Sequence, residues 1–287
     1  MTTPIWESKR IIELLRYGSI YSVLNQRLRA QIDSLSPDQL AEKVGQTMGN
    51  PSRFSYPFWA LVLAAQYYEL FRALGVTKDH AVYEPGAGAE PPVLVASRAL
   101  GGVQASYTTI NLNQQLHERL TNALDAPAKA SAEQCRIIQA NALDALTYLE
   151  PGTFDVACFN HSINDILQTA VSEAMGMDTA TVDWFAEEQQ MIEWLAGEYR
   201  TDGLATRGKP ELLSIISDAA TLVGSGGHLI FYHCVFEGMH ALPWFPWDLY
   251  CELIPLTRGW IEGSTLAVEE VQLLGVDPQW WMVLRGR

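Results

Sequence analysis

The sequence is short of positive charge: 19 Lys and Arg stand against 33 Asp and Glu over 287 residues, giving a net charge of −14. Nucleic acid is therefore not an expected partner, because neutralising phosphates takes a basic face that this composition can hardly supply. Cysteine is scarce as well. Cys135, Cys158, Cys234 and Cys251 are scattered with no C-x-x-C pair, so a disulfide framework is excluded and free thiols in a reducing compartment are expected. No apolar run reaches the roughly 20 residues that a bilayer-spanning helix needs. The longest, Tyr56 to Phe71, is interrupted by Gln66 and Glu69. The N-terminus becomes charged at Glu7 before any apolar stretch, unlike a secretory signal. We expect a cytoplasmic protein with no membrane partner. Gly, Pro and the 48% hydrophobic content are ordinary, which describes one large globular domain with an elaboration, or two modest domains.

What is present falls into two regimes. Residues 1–75 carry helical periodicity, with Ile11, Ile12, Leu14, Leu15, Ile20, Val23, Leu24 and Leu28 recurring at three- and four-residue spacings. Ser36-Pro37-Asp38 reads as a helix start, leading into Gln39–Val44, and Gly49-Asn50-Pro51-Ser52 as a break. This prelude has no core of its own to close on and is expected to cap something. From Ala81 short apolar runs (81–83, 107–112, 136–139, 154–159, 228–232) alternate with helical stretches (91–100, 114–124, 211–223). Alternation of this kind implies right-handed crossovers and a parallel sheet covered on both faces. The last two β-rich runs, 267–273 and 280–284, are joined by Gly275-Val276-Asp277-Pro278 and read as an antiparallel hairpin. Residues 161–209 interrupt the alternation with a Glu-rich helical run around Trp184–Tyr199 and a loop over 201–209. An insertion after a sheet strand lies at the carboxyl edge, where open α/β sheets bind ligands.

The sharpest local signal is Val82-Tyr83-Glu84-Pro85-Gly86-Ala87-Gly88-Ala89-Glu90-Pro91-Pro92. A strand runs into a turn with alternate glycines, and a helix opens at two prolines. Glycines permit close approach of backbone to ligand, and a helix start offers free N–H donors. A dinucleotide fingerprint would put a third glycine at Pro91, so a pyrophosphate is not provided for. The plain alternative is a tight strand-to-helix connection.

An acid two residues before the first glycine makes the segment similar to the first motif of class I S-adenosylmethionine-dependent methyltransferases, roughly E/D-x-G-x-G. The resemblance extends from about residue 75 to the end of the chain. It aligns Asn111 in Thr109-Ile110-Asn111-Leu112-Asn113 with the acid that takes the ribose hydroxyls. Asn141 in Gln139-Ala140-Asn141-Ala142 falls on the acid near the adenine amine. Phe154-Asp155-Val156-Ala157-Cys158-Phe159-Asn160-His161 resembles the fourth-strand motif, and Val223-Gly224-Ser225-Gly226-Gly227-His228 the turn before the fifth strand. The resemblance implies an α/β fold: a Rossmann-like, mostly parallel seven-stranded sheet with an antiparallel C-terminal strand, a helical N-terminal cap and a helical insertion. It implies a helical cap or lid over 1–75 and a cofactor domain over 76–287 with 161–209 as a lid insertion. It implies S-adenosylmethionine held by Glu84, Gly86, Ala87, Gly88, Asn111, Leu112, Asn141, Ala142 and Asn160. Amides in place of two acids accept hydrogen bonds without charge assistance. Asn111 and Asn141 have capping of strand-to-loop turns as their alternative role, and Glu84 a helix-dipole role.

Methyl transfer from a sulfonium demands positioning and removal of a proton from the acceptor. His161 is a candidate base, with Asp165 four residues on sharing its helical face and orienting its ring. His233 is the second candidate. Each histidine has simple packing as its alternative. No metal-ligand spacing is present, so no metal is expected. Tyr17 and Tyr21 on one helical face, Tyr56, Trp59, Trp244 and Trp247 are candidate acceptor contacts, against the bland reading of core aromatics. The resulting expectation is methyl transfer to a small, apolar, aromatic acceptor, O-methylation first, with N- and C-methylation open. A non-methylating enzyme of the same fold and a catalytically inactive binding protein are the alternatives. A homodimer through the N-terminal helices is left open.

Overall fold

A computed structural model describes residues 5–49, 58–88, 91–125 and 134–287. The N-terminal helices are α1 (Ser8–Arg16), α2 (Ser19–Val23), α3 (Gln26–Asp33), α4 (Pro37–Gly49) and α5 (Phe58–Ala73). The start of α4 is a reciprocal cap: Gln39 N–H donates to Ser36 Oγ at 3.2 Å and Ser36 N–H to Gln39 Oε1 at 2.9 Å. Once capped, α4 runs to Gly49 rather than ending at Val44, and Met48 continues the face on which Leu40 and Val44 are buried. Helix α5 is apolar except for a strip of Gln66, Glu69 and Arg72 and buries eleven of its 16 residues, the pattern of a helix largely enclosed by protein.

The sheet follows. Strand β1 (Ala81–Pro85) leads to α6 (Pro92–Gly101), β2 (Ser106–Asn111), α7 (Gln114–Asp125), β3 (Cys135–Gln139) and the single turn α8 (Ala145–Tyr148). Then come β4 (Val156–Asn160), α9 (Ile163–Ala174), α10 (Trp184–Arg200), α11 (Leu204–Arg207) and α12 (Lys209–Val223). The chain closes with β5 (His228–Tyr232), α13 (Trp247–Glu262), β6 (Val268–Glu270) and β7 (Trp281–Gly286). The seven strands lie in the order β3-β2-β1-β4-β5-β7-β6. Neighbours from β3 to β5 pair in parallel, and β7 is antiparallel to both β5 and β6. This is the expected architecture. Central β1, β4 and β5 are buried almost throughout, whereas edge strands β3 and β6 are only partly covered, as both-face coverage of a parallel sheet requires.

Two expectations change. The loop expected over 201–209 contains α11 and the first residue of α12. Leu204 is buried there, Arg207 pairs with Glu198, and Pro210 falls in the first turn of α12, where its missing N–H costs nothing. Within 161–209, α9 is a crossover helix packed against α10 and α12, so the added element is α10 and its flanks. The N-terminal helices share the sheet's core instead of standing off as a cover. Trp6 meets Trp281 at 4.7 Å between ring centroids, Tyr67 meets Trp281 at 5.2 Å, and Ile5 N–H donates to Leu274 C=O at 3.1 Å.

Candidate functional site

Strand order reverses between β1 and β4, leaving a crevice beyond their carboxyl ends. The chain leaves β1 through Gly86, whose φ of +74° suits a residue without a Cβ. Gly86 N–H donates to Ile110 C=O at 2.9 Å, tying the turn to β2, and a Cβ there would stand 3.1 Å from Ser162 Cβ. Two hollows open on this turn. The larger, about 490 Å³, has Gly86, Ala87 and Gly88 on one side and Asn160 and His161 at the end of β4. The smaller, about 70 Å³, lies among Asn111, Leu112, Asn141 and Ala142 at the ends of β2 and β3. Gly86, Leu116, Asp165 and Trp184 border both.

The expected cofactor residues thus converge, with one exception. Glu84 is fully buried behind the turn, where Tyr107 Oη donates to its Oε2 at 2.6 Å, and it borders neither hollow. Burial pushes its pKa up to about 8, against the hydrogen bonds from Tyr107 and Asn160. Its role is to brace β1 against β2 rather than to touch a ligand. Asn111 Nδ2 donates to Ala87 C=O at 3.2 Å, fixing the turn, and Asn141 Oδ1 accepts from Leu143 N–H at 3.0 Å as a cap. Both amides therefore hold local structure and border the smaller hollow at the same time.

The catalytic expectations change more. His161 sits outside any helix with φ +55°, before α9 begins. It and Asp165 therefore share no helical face, and Asp165 does not orient the ring. Asp165 Oδ1 instead accepts from Asn164 Nδ2 at 2.6 Å. The His161 ring stacks on His233 (4.6 Å between centroids, 9° between planes), with its Nδ1 3.7 Å from Cys234 Sγ. Burial lowers the His161 pKa to about 4. His233 is buried behind it, with neither ring nitrogen partnered and its pKa lowered by burial and by His161. A base cannot serve a cavity it does not border, so His233 is a backing ring. Burial and the charge of Glu188 push Asp165 up to about 8.

Of the expected acceptor contacts among the described residues only Trp59 borders the cavity; its Nε1–H donates to Tyr232 Oη at 3.1 Å. Tyr17 ends α1 and Tyr21 lies in α2, so Gly18 separates them onto different helices. Tyr17 is 82% exposed and the Tyr21 hydroxyl donates to Asp33. Trp244 and Trp247 pack on Phe245, and it is Phe245 and Tyr250 that border the cavity. Tyr56 lies outside the described residues. Trp184, Phe185, Glu188, Cys234 and Phe236 are also on the lining and were not singled out as site residues by their sequence context. Trp184 and Glu188 lie four apart in α10, one turn on one face, which was the signal available for them. Among the described residues no cluster of three or more His, Cys, Asp or Glu is arranged to hold a metal, and no helix is long and apolar enough to cross a membrane.

No protein-family model and no curated protein matches the chain. Solved structures similar to it include the SAH-bound Podospora anserina methyltransferase PaMTH1, at 12% identity over 92% of this chain and 97% of that one, with a TM-score of 0.47. Another is the arsenic (III) S-adenosylmethionine methyltransferase CrArsM from Chlamydomonas reinhardtii (16% identity, 72% of this chain and 63% of that chain, TM-score 0.36). A third is PH0851, at 12% identity over 76% of this chain and 45% of that chain, with a TM-score of 0.45. This chain thus spans less than two thirds of the length of the latter two. The chain's own strand order, with its antiparallel last pair, is the one that the resemblance to class I S-adenosylmethionine-dependent methyltransferases implies. Identities this low leave the chemistry to be argued from the site.

Proposed function

We propose that the protein is a methyltransferase that takes its methyl group from S-adenosylmethionine and passes it to a small acceptor with a flat, apolar body. One observation carries this reading: a single glycine turn, at the reversal of strand order, opens at once on a narrow cleft between strand ends and on a wide aromatic cavity. The donor set fits the cofactor. Gly86 to Gly88 accommodate its amino-acid arm beside Asn160, and Asn111, Leu112, Asn141 and Ala142 receive the nucleoside. When bound, the cofactor supplies an electrophilic methyl group on sulfur.

The residues of the chain then do the rest. The smaller cleft is well below the few hundred Å³ typical of ligand pockets, so α10, which carries Trp184 between the two hollows, acts as a lid that shifts to admit the nucleoside. In this reading 76–287 is the catalytic domain and the N-terminal helices form its wall. Aromatic walls from Trp59, Phe236 and Phe245 exclude water and hold the acceptor in line. His161, neutral and weakly basic, is part of that wall. Asp165, in the first turn of α9 and bordering both hollows, is the proton acceptor in its ionised form. Because burial and Glu188 raise its pKa to about 8, that form and the rate it supports grow as pH climbs toward 8.

The test is calorimetric titration with S-adenosylhomocysteine, expected to bind with a dissociation constant of about 1 μM or tighter. Absence of heat, with the protein folded, removes the proposal. A label from the cofactor's methyl group should appear in the product. The engagement of Asn111 and Asn141 with backbone favours one other reading, an enzyme that holds the cofactor without spending its methyl. A product heavier than the acceptor by one methylene excludes it.

A further inference from the structure

One wall of the larger cavity is backed by a relay of hydrogen bonds that begins at Trp59 in α5 and ends at His161, just past β4. An indole carries a hydrogen and no lone pair, so it can only donate. Trp59 Nε1–H donates to the buried Tyr232 Oη at 3.1 Å. The hydroxyl keeps one hydrogen of its own, and it donates to the thiol of Cys234, two residues on and fully buried. Cys234 Sγ in turn lies 3.7 Å from His161 Nδ1. Burial keeps the thiol protonated by pushing its pKa up, and keeps the imidazole neutral by lowering its pKa to about 4.

Followed from its donor-only end, the relay uses each hydrogen once: indole to hydroxyl, hydroxyl to thiol, thiol to Nδ1. Nδ1 is then the bare nitrogen, and the single hydrogen of the neutral ring sits on Nε2. The opposite arrangement, Nδ1–H toward sulfur, leaves the thiol hydrogen without an acceptor among the described residues. The ring is held in place from several sides. His161 has φ +55°, which a residue with a Cβ keeps only where its surroundings fix it. Its N–H donates to Tyr232 C=O at 2.8 Å, His233 stacks flat on the ring, and Phe236 meets it edge-on at 5.1 Å between centroids. Nε2 has no hydrogen-bond partner among the described residues and, unlike both nitrogens of His233, is not shut away from the half-buried residue's cavity side.

We infer that Cys234 fixes His161 as the Nε2–H tautomer, that the cavity wall thereby offers a hydrogen-bond donor, and that the acceptor carries a carbonyl oxygen on its flat apolar body to meet it. A carbonyl accepts there and brings no hydrogen that needs a further partner in an apolar wall. His161 is the specificity-determining contact and Cys234 its positioning residue. A neutral Nε2–H takes no proton from the acceptor, so that step stays with Asp165. The acceptor class rests on the function proposed above; the tautomer does not.

The tautomer is read by NMR on protein with nitrogen-labelled histidine, in which protonated and bare ring nitrogens resonate far apart; loss of one pair in His161→Phe identifies the ring. Wild type should show Nε2–H alone, Cys234→Ser should retain it because a hydroxyl also donates, and Cys234→Ala should let the Nδ1–H form appear. Nδ1–H as the main form in wild type, or an alanine variant indistinguishable from wild type, overturns the tautomer. The acceptor class is tested with two probes of one shape, acetophenone and isopropenylbenzene, in which CH2 replaces the carbonyl oxygen. The ketone should bind roughly three- to tenfold more tightly, and the ratio should fall toward unity in His161→Phe. A ketone that binds no better, or a preference that survives the substitution, overturns the acceptor class. His161→Leu serves both purposes should the phenylalanine variant misfold. Titrations run with and without saturating S-adenosylhomocysteine. Failure of that ligand to bind strikes the methyl-transfer reading, while tautomer and ketone preference are still measured on the protein alone.

Discussion

Two helical additions flank the sheet, and their contrast separates structure from function in this chain. The first, α1 to α5, precedes β1; the second, α10 with α11, is inserted between α9 and α12. Helix α5 buries eleven of 16 residues and α10 five of 17. Helix α5 is apolar apart from Gln66, Glu69 and Arg72, so the hydrophobic effect places most of it inside, and it reaches the cavity through its first turn, at Trp59. Helix α10 keeps Met191, Ile192 and Leu195 inward, leaves Phe185, Gln189, Gln190 and Glu193 exposed, and borders the hollow with Trp184 and Glu188. A buried helix carries packing information, whereas a half-buried one retains side chains that can meet a ligand.

Four experiments bear on that contrast, in order of expected effect. Gly86→Asp attacks the premise that the hollow beneath α10 is a cofactor site: a Cβ at φ +74° and 3.1 Å from Ser162 Cβ distorts the turn. Calorimetry should then detect no binding of S-adenosylhomocysteine, and retained affinity would break the comparison at its base. Leu70→Ala in α5, at a fully buried position, should lower unfolding free energy by roughly 2–5 kcal/mol in denaturant titrations. Little or no loss would mean that α5 is as dispensable as a lid.

The third experiment concerns pH. Asp165 and Glu84 both have folded pKa values raised to about 8. Their contribution is complete below the unfolded carboxylate pKa and is lost as pH climbs toward 8, since the unfolded state ionises first. The lowered values of His161 and His233 act oppositely, removing stability as pH falls below the unfolded histidine value toward 4. Maximal stability should therefore lie on the mildly acid side of neutrality. Asp165→Asn should flatten the decline between about pH 5 and pH 8 in thermal melts; an unchanged slope would detach Asp165 from its buried setting. The smallest effect is expected of Phe185→Ala, at 45% exposure on α10: a change within about 0.5 kcal/mol in stability, with altered acceptor affinity as the only marked consequence. A large loss would make α10 structural after all.

Much of the fold was legible from residue order. The alternation from Ala81, the Gly86 turn and the hairpin around Gly275 each express a local rule, and strand pairing follows them. Helix ends were less legible: α4 outran its expected end and α11 appeared where a loop was expected, because single residues packed on the core, such as Met48 and Leu204, outweigh local signals. The site was legible in part. Gly86, Asn111, Asn141, Asn160 and Asp165 meet at the crevice because each stands at a strand end or just beyond one. His233 and Tyr17 fail for the opposite reason: both satisfied a chemical pattern, and neither pattern encodes the direction in which a side chain points.

The order of apolar runs, the paired glycines and the excess of acids determined the sheet, the place of its crevice and the kind of ligand the surface repels, because these depend on near neighbours and on total charge. Only the folded chain decided that Asp165 and Glu188 border one hollow, with no cationic partner among the described residues, while His161 stacks on a second ring. The reason is desolvation: a group's proton affinity is set by what surrounds it in space, and residues 165 and 188 acquire a shared environment only when α10 folds across the carboxyl edge.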